Sequence, residues 1–575
     1  MRFHFAIGPV QTFVGQARRT RDLWAGSFLL SYLAFQAIQA VSANQGKIIF
    51  PAWGKEHPGL DMASTPNRFV AEVGETFQPK VCVDAVNQAW KRLADAVWIQ
   101  FIASVASQGN HTQAIWQQQV DSFWDIAWAL GDDWDLLDRR KYLKSYVPSS
   151  QSGLKCVMIP QLQEISGHGR AEDRNRFWRA VNRNVEGLDL QEDEALSAVA
   201  LVKRLFPRLH QADLKILRME LSEDQIHYPS TVALSARPWS EQQLAEDPPW
   251  QRELQRYLTS LDPAERKKIQ AGDRLDPAIF YEGSRTNDRL WPQGTAEMRD
   301  RIGQIMGAVQ SRPEPYYALL LMDGDHLGQL LRRGDPSTVS AALARFTQKV
   351  PAVVESHDGT LVYAGGDDVL ALFSKPRALR AAWDLRHTYE EAMGEFKPST
   401  SLSGAIVYAH MHAPLTAVVA EAHHLLDIEA KEHSGRDALA FGRFSSAGHR
   451  WPFAAKWKDV CPENAIGLPE LVDRVSSLVS SRWLFKIQEL ESRLGSAQWM
   501  TSQDWRRLLE SELERTRTEE GQEEPSSGEI EDLLEALHRL AEGGRRVGAQ
   551  PENALPWTRA LRLLHFLAQD EEDQG

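Results

Sequence analysis

Two short segments carry carboxylates at a spacing fit for metal chemistry. In Tyr363-Ala364-Gly365-Gly366-Asp367-Asp368-Val369-Leu370, two glycines and two aspartates stand between apolar runs. Glycine permits the backbone angles of a tight hairpin, so both acids are displayed at its tip. Upstream, Leu319-Leu320-Leu321-Met322-Asp323-Gly324-Asp325 ends an apolar strand with carboxylates at i and i+2, positions that project to one side while the chain stays extended. Asp323 then approaches Asp367 and Asp368, and hard oxygen ligands suit Mg²⁺ or Mn²⁺ rather than Zn²⁺. A metal pair about 3.5–4 Å apart activates a hydroxyl and stabilises a transferring phosphate, which is nucleotidyl transfer. Gly324, Gly365 and Gly366 leave the backbone bare for a triphosphate, with Asp325 beside them, and Lys431 offers a cation to polyphosphate oxygens, with Arg436 nearby. Each turn alone also reads as an ordinary structural turn; their joint placement carries the metal-site reading.

The elements around these segments are legible. Strands at 317–322, 360–364, 369–373, 402–408 and 438–444 alternate with helices at about 337–353, 376–394 and 415–432. This βαββαβ order, with a further helix and strand, is the ferredoxin-like plan. A strand at 3–7, a long helical pattern from Val10 to Ala40, a strand at 68–73 and a helix at about 85–105 open the chain as a second α+β region. The middle is mostly helical, with short extended pieces at 157–160 and 230–234 and a proline-bearing loop over 237–249. Beyond Trp451 the pattern is helical, broken by the acidic stretch 518–527, and the last residues, DEEDQG, read as a frayed end. The expected fold is α+β: two ferredoxin-like palm domains with helical middle and C-terminal domains, bounded as 1–150, 151–300, 301–450 and 451–575.

Bulk composition sets limits. The 575 residues suggest several domains, and 43% hydrophobic with 25% charged residues is ordinary for a globular chain. A net charge of −13 argues against broad, autonomous nucleic-acid binding. The three cysteines, Cys82, Cys156 and Cys461, form neither a CxxC knuckle nor a disulfide framework, and a reducing cytoplasm fits best. The N-terminus lacks a signal-peptide pattern, and no membrane partner is expected. Among lesser features, the 19 tryptophans read as packing residues and His357-Asp358 as a turn. Arg18, Arg19 and Arg21 read as a solvated face with RNA or partner contact as the alternative. His423-His424, beside Asp427, point apart on a helix and do not form a shared metal site.

Several segments resemble the large subunit of type III-B (Cmr) CRISPR effector complexes. IGPVQTFVGQARRTRDLWAGSFLLSYL at 7–33 resembles the start of that family's first palm-like domain. LSAVALVKRLFP at 196–207 and YPSTVALS at 228–235 resemble its middle region. MDGDHLGQLL at 322–331, LVYAGGDDVLALF at 361–373 and EAKEHSGRDALAF at 429–441 resemble the catalytic palm. The resemblance implies an ATP-using cyclic oligoadenylate synthase with Asp323, Asp367 and Asp368 as metal ligands and a non-catalytic first palm that helps hold a second ATP. The implied partners are other Cmr-type subunits, guide CRISPR RNA and target RNA. The sequence departs from the family pattern twice: it opens at the first palm, so no HD nuclease is expected, and SGLKCVMIP keeps Cys156 but has Ile159 where a second zinc-site cysteine is expected, so no structural zinc is expected. The alternatives are a non-catalytic scaffold subunit and a stand-alone cyclic dinucleotide synthase.

Overall fold

The computed structural model describes most of residues 1–478 and, beyond them, chiefly 502–517, 527–543 and 556–568. The longer stretches outside the description are 54–63, 143–150, 283–295, 494–501, 518–526, 544–555 and 569–575. Most of the acidic stretch 518–527 and all of the DEEDQG end therefore lie outside the described residues. Packing divides the chain into two compact units. One is Met1–Ser230 with Gly328–Lys349 and Val362–Gly366; the other is Thr231–Leu327 with Val350–Leu361 and Asp367–Gly575.

In the first unit, strands β1 (Arg2–Gly8), β2 (Lys47–Phe50), β3 (Arg68–Glu72) and β4 (Asp125–Leu130) form one antiparallel sheet in the order β2-β3-β1-β4. This is the ferredoxin-like order. The alternation of apolar residues on β1 puts Phe3 and Phe5 into the core with Phe69 of β3, the Phe5 and Phe69 rings stacking at 4.8 Å. Helices Thr20–Ala43 and Lys80–Val97 pack on each other. Thr20–Ala43 is long and apolar enough by composition to cross a membrane, but its apolar residues are buried within the fold, as in a core helix. Trp90 and Trp178 are buried too, which fits the packing role read from the sequence.

The helical pattern from Val10 to Ala40 is not one helix. It breaks into Val10–Val14 and Thr20–Ala43. The break has a physical cause, because the carbonyls ending the short helix need partners. Lys203 supplies them: its Nζ donates to the carbonyls of Phe13 at 2.5 Å, Gln16 at 2.9 Å and Val14 at 3.3 Å. Gly26 makes room for the lysine stem, since a Cβ there would stand 2.7 Å from Lys203 Cε. The next residue, Arg204, forks onto two further buried acids, Asp22 and Glu194. Arg18 and Arg19 are drawn into the same network through Glu194, so neither is simply a solvated charge.

Three middle-region expectations are corrected. Residues 231–246 form one helix, Thr231–Glu246, that runs through Pro238, and the next begins at Pro249. The extended piece at 230–234 and most of the loop at 237–249 are therefore helical. Segment 157–160 forms no strand, although Lys155 and Gln163 make an isolated antiparallel bridge nearby. At Cys156 the buried sulfur accepts the N–H groups of Met158 and Ile159 at 3.3 and 3.2 Å, and Ile159 is fully buried beside it.

The second sheet contains β5 (Tyr316–Gly324), β6 (Thr360–Gly365), β7 (Asp368–Ser374), β8 (Leu402–His410), β9 (Ala438–Phe444) and β10 (Arg450–Lys456) in the order β10-β9-β8-β5-β7-β6. The stretch β8-β5-β7-β6 repeats the ferredoxin-like order of the first sheet. β9 adds parallel to β8, and β10 antiparallel to β9. Helices Ala378–Ala392 and Leu415–His424 pack on β5 and β8. Strand β10 lies where the sequence reads as helical. It carries Pro452, which lacks a backbone N–H and is tolerated because β10 is an edge strand. His357 and Asp358 form the turn expected of them, with Asp358 at φ +52°.

Candidate active site

Strand β5 is buried from Tyr316 to Met322 and then releases Asp323 into a half-buried position. Its neighbour β7 pairs with it in the register Met322 with Val369, which sets Asp368 beside Asp323. The two-residue turn between β6 and β7 is Gly366-Asp367, and Gly366 has φ +68°, a left-handed angle that glycine takes without steric cost. One carboxylate oxygen from each of Asp323, Asp367 and Asp368 lies within 4.8 Å of the other two. Among the described residues, no other group of three or more metal-ligating side chains converges in this way.

The trio is electrostatically loaded. Burial raises the Asp367 carboxyl to about 6, opposed by the N–H groups of Asp367 and Gly324 and reinforced by the charge of Asp325. Asp368 is also pushed well above the usual carboxylate range, first by desolvation and then by the charges of Asp367 and Asp427. By surface area Asp368 is exposed, so part of its desolvation is relieved by water, and the like charges are the firmer cause of the upward direction. Mutually repelling, partly desolvated oxygens fit a hard divalent cation, which removes the repulsion and holds the carboxylates in their charged form.

Gly324 is required by space. A Cβ there would stand 2.7 Å from both Cβ and Oδ2 of Asp367 and 3.0 Å from the Tyr389 hydroxyl. Gly324→Ala should push Asp367 out of the cluster and weaken Mn²⁺ binding roughly 10- to 100-fold, while the circular dichroism spectrum stays that of the wild type. A second expectation follows from the raised carboxyls, because a proton competes with the cation for the same oxygens. Mn²⁺ affinity of the nucleotide-free protein should fall as pH drops through about 6, by up to about tenfold per unit. Titration at pH 5 and pH 7 measures it.

Asp325 is not with the trio. β5 ends at Gly324, the i, i+2 alternation ends with it, and the Asp325 carboxylate turns into the protein, where it is fully buried. It accepts hydrogen bonds from Ser401 Oγ at 2.6 Å, Ser403 Oγ at 2.8 Å and the Asp437 N–H at 3.1 Å. Its carbonyl accepts from Thr400 Oγ1, which also meets the Tyr389 hydroxyl at 2.9 Å. Asp325 therefore braces the floor of the site and the loop before β9. That loop holds Gly435, Arg436 and Asp437 at positive φ and is pinned again by Lys456 Nζ on the carbonyls of Gly435 and Arg436.

Lys431 does reach the site and forms an ion pair with Asp323. Burial, then the charge of Arg436, lowers its pKa to about 8, which leaves it mostly protonated at neutral pH. It lies on the π-helical segment Leu425–His433, which packs on β5, β8 and β9. Asp427, one helical turn earlier, bears on Asp368 and also on half-buried His423. Neither Tyr389 nor the influence of Asp427 on Asp368 is foreseen from the sequence. The i, i+4 spacing of Asp427 and Lys431 was the available signal.

Two ferredoxin-like sheets, one ending in three converging carboxylates, define a palm-domain, nucleotidyl cyclase-like protein. Residues 316–440 match the family described as Cas10/Cmr2, second palm domain, and residues 3–95 match CRISPR-associated protein Cmr2, N-terminal. A curated relative, the CRISPR system Cmr subunit Cmr2 of Pyrococcus furiosus, is 22% identical over 561 residues, covering 79% of this chain and 62% of the relative's own length. The apo type III-B Cmr-beta structure solved by cryo-EM is similar in fold, with TM-score 0.64, 14% identity and coverage of 99% of this chain and 82% of that one. Cmr-beta bound to cognate target RNA gives TM-score 0.65 at 14% identity, with 99% and 83% covered. Residues 316–440 and 3–95 are thus similar to the Cas10/Cmr2 family, and the chain spans less than two thirds of the length of the curated relative it matches.

Proposed function

We propose that the chain works within an RNA-guided type III-B complex and converts ATP into cyclic oligoadenylates when target RNA is bound. The observation that carries this reading is the convergence of Asp323, Asp367 and Asp368 at the end of β5 and the tip of the β6–β7 hairpin. Asp323, Asp367 and Asp368 would hold Mg²⁺ or Mn²⁺, and the metal when bound supplies an activated hydroxyl and charge stabilisation at the transferring phosphate. The protein's own part is positioning. Gly324, Gly365 and Gly366 keep side chains away from the triphosphate, Lys431 offers an ammonium to its oxygens, and Asp325 fixes the loop behind them. In this reading 301–450 is the catalytic palm, 1–150 a non-catalytic palm that helps hold a second ATP, 151–300 a helical middle domain and 451–575 a helical C-terminal domain. The partners are other Cmr-type subunits, guide RNA and target RNA, in a cytoplasmic ribonucleoprotein. The matches to the Cas10/Cmr2 family support the setting, as does the fold shared with a Cmr-beta complex solved on target RNA.

The test is mass spectrometry of products after the assembled complex is incubated with ATP, Mg²⁺ or Mn²⁺ and matching target RNA. Cyclic adenylates released with pyrophosphate are expected. Wild-type complex that makes no more product than the Asp367→Ala, Asp368→Ala complex would sink the synthase reading and leave the scaffold role.

A further inference from the structure

We propose that an exposed face of the first unit, built from helix Ala171–Asn184, the π-helical turn Trp98–Ile102 and the segment around Gln211–Ile216, docks an acidic, partly apolar face of a partner protein. The helix is amphipathic: Phe177, Trp178, Ala180 and Val181 are buried, and Arg176, Arg179 and Arg183 are exposed. At 1.5 Å rise per residue these arginines form a stripe roughly 10 Å long on one face. The acids of that helix, Glu172 and Asp173, both lie in its first turn, and Asp173 reaches Arg176 at 3.5 Å. In a chain of net charge −13, a one-sign basic stripe is a local exception, and it is complementary to carboxylates.

The apolar part is carried by the other two pieces. Ile99 is 73% and Ile216 71% exposed, whereas the next most exposed large hydrophobic residue among those described, Met1, is 43%. Hydrogen bonds tie the three pieces together. Asn184 Nδ2 donates to the Phe101 carbonyl at 3.0 Å and to Ser104 Oγ at 2.8 Å. Gln100 donates from Nε2 to the Arg208 carbonyl at 3.0 Å and accepts at Oε1 from the His210 N–H at 3.1 Å. The turn that carries Ile99 is therefore bonded both to the arginine helix and to the chain that leads into Gln211–Ile216. Exposed arginine next to exposed aliphatic surface is the composition of a protein interface. A single-stranded nucleic acid would call for aromatic rings on which bases stack, and the aromatics of this helix, Phe177 and Trp178, face inward.

The partner's setting rests on the reading of the chain as a subunit of a complex. The test uses the full chain and a subcomplex of the other subunits with guide RNA, assembled without this chain, measured by biolayer interferometry at several salt concentrations. The variants are Arg176→Glu with Arg179→Glu and Arg183→Glu, and separately Ile99→Asp. Each should bind about 10- to 100-fold more weakly with an unchanged melting temperature, and the charge variant should show a flatter salt dependence. Affinities within twofold of wild type for both variants overturn the docking surface. So does a charge variant that loses affinity equally for protein-free guide RNA while Ile99→Asp binds normally, because the face then serves nucleic acid. A wild-type chain that fails to bind the subcomplex overturns this inference and the proposed setting together, whereas intact binding without ATP turnover counts only against the synthase reading.

Discussion

Replacing Asp367 and Asp368 together by alanine should lower cyclic adenylate formation by about a thousandfold or more, equivalent to roughly 4 kcal/mol of lost transition-state stabilisation. The two carboxylates are two of the three oxygen sources that converge within 4.8 Å, so their removal leaves Asp323 with too few ligands to hold a cation. Asp325→Asn gives the contrast. Its carboxylate already accepts from Ser401, Ser403 and Asp437, so loss of its charge should reach the protein mainly as stability, about 1–3 kcal/mol. Cation stoichiometry in an Mn²⁺ titration should be kept by Asp325→Asn and lost by the double alanine variant. An Asp325→Asn protein as inert as the double variant, with its melting temperature unchanged, would move Asp325 into the ligand set and contradict the geometry.

The site was readable where local chemistry and sheet order agree. Gly366 takes the left-handed turn that places Asp367, and alternating apolar runs fix β5 and β7 as neighbours, so the Asp323, Asp367 and Asp368 grouping follows from sequence period and topology. The βαββαβ order around it was legible for the same reason. Asp325 departs from the i, i+2 expectation because that rule holds only while the strand lasts, and β5 stops at Gly324. Tertiary partners decide the other differences. The helix break between Val14 and Thr20 depends on Lys203, nearly two hundred residues away, and no local pattern contains it. Pro238 reads as a loop signal, yet it lies inside Thr231–Glu246, a helix whose Tyr281 and Met411 neighbours help bury Ala236. Beyond Trp451 the pattern reads as helical, yet Arg450–Lys456 pairs with β9 as an edge strand, where Pro452 is tolerated.

Arg204→Met should destabilise the first unit by about 3–5 kcal/mol, the largest stability effect expected of any single substitution considered. Arg204, Asp22 and Glu194 are almost completely excluded from water. The guanidinium donates through Nε to Asp22 Oδ1 at 2.5 Å, through Nη2 to Asp22 Oδ2 at 2.8 Å and through Nη1 to Glu194 Oε2 at 2.9 Å. Burial alone would raise the Asp22 carboxyl, yet the charge and hydrogen bonds of Arg204 hold it below the ordinary range. Methionine fills similar volume and removes the charge, leaving two buried carboxylates to Lys203 and the less closely placed Arg18 and Arg19. The same carboxylate also orders the backbone, since Asp22 accepts the N–H groups of Arg18 and Arg19 and so starts helix Thr20–Ala43. Arg204→Lys should recover little, because one ammonium cannot reproduce the fork that spans both acids. Replacing Arg204, Asp22 and Glu194 together by aliphatic residues should recover much of the loss by removing the unpaired charges. Urea unfolding followed by tryptophan fluorescence can report on this region, because Trp24 stacks on Phe206 and Tyr228 just beyond the network. A triple aliphatic variant as unstable as Arg204→Met would show that the ion network orders the helix start in a way apolar packing cannot replace.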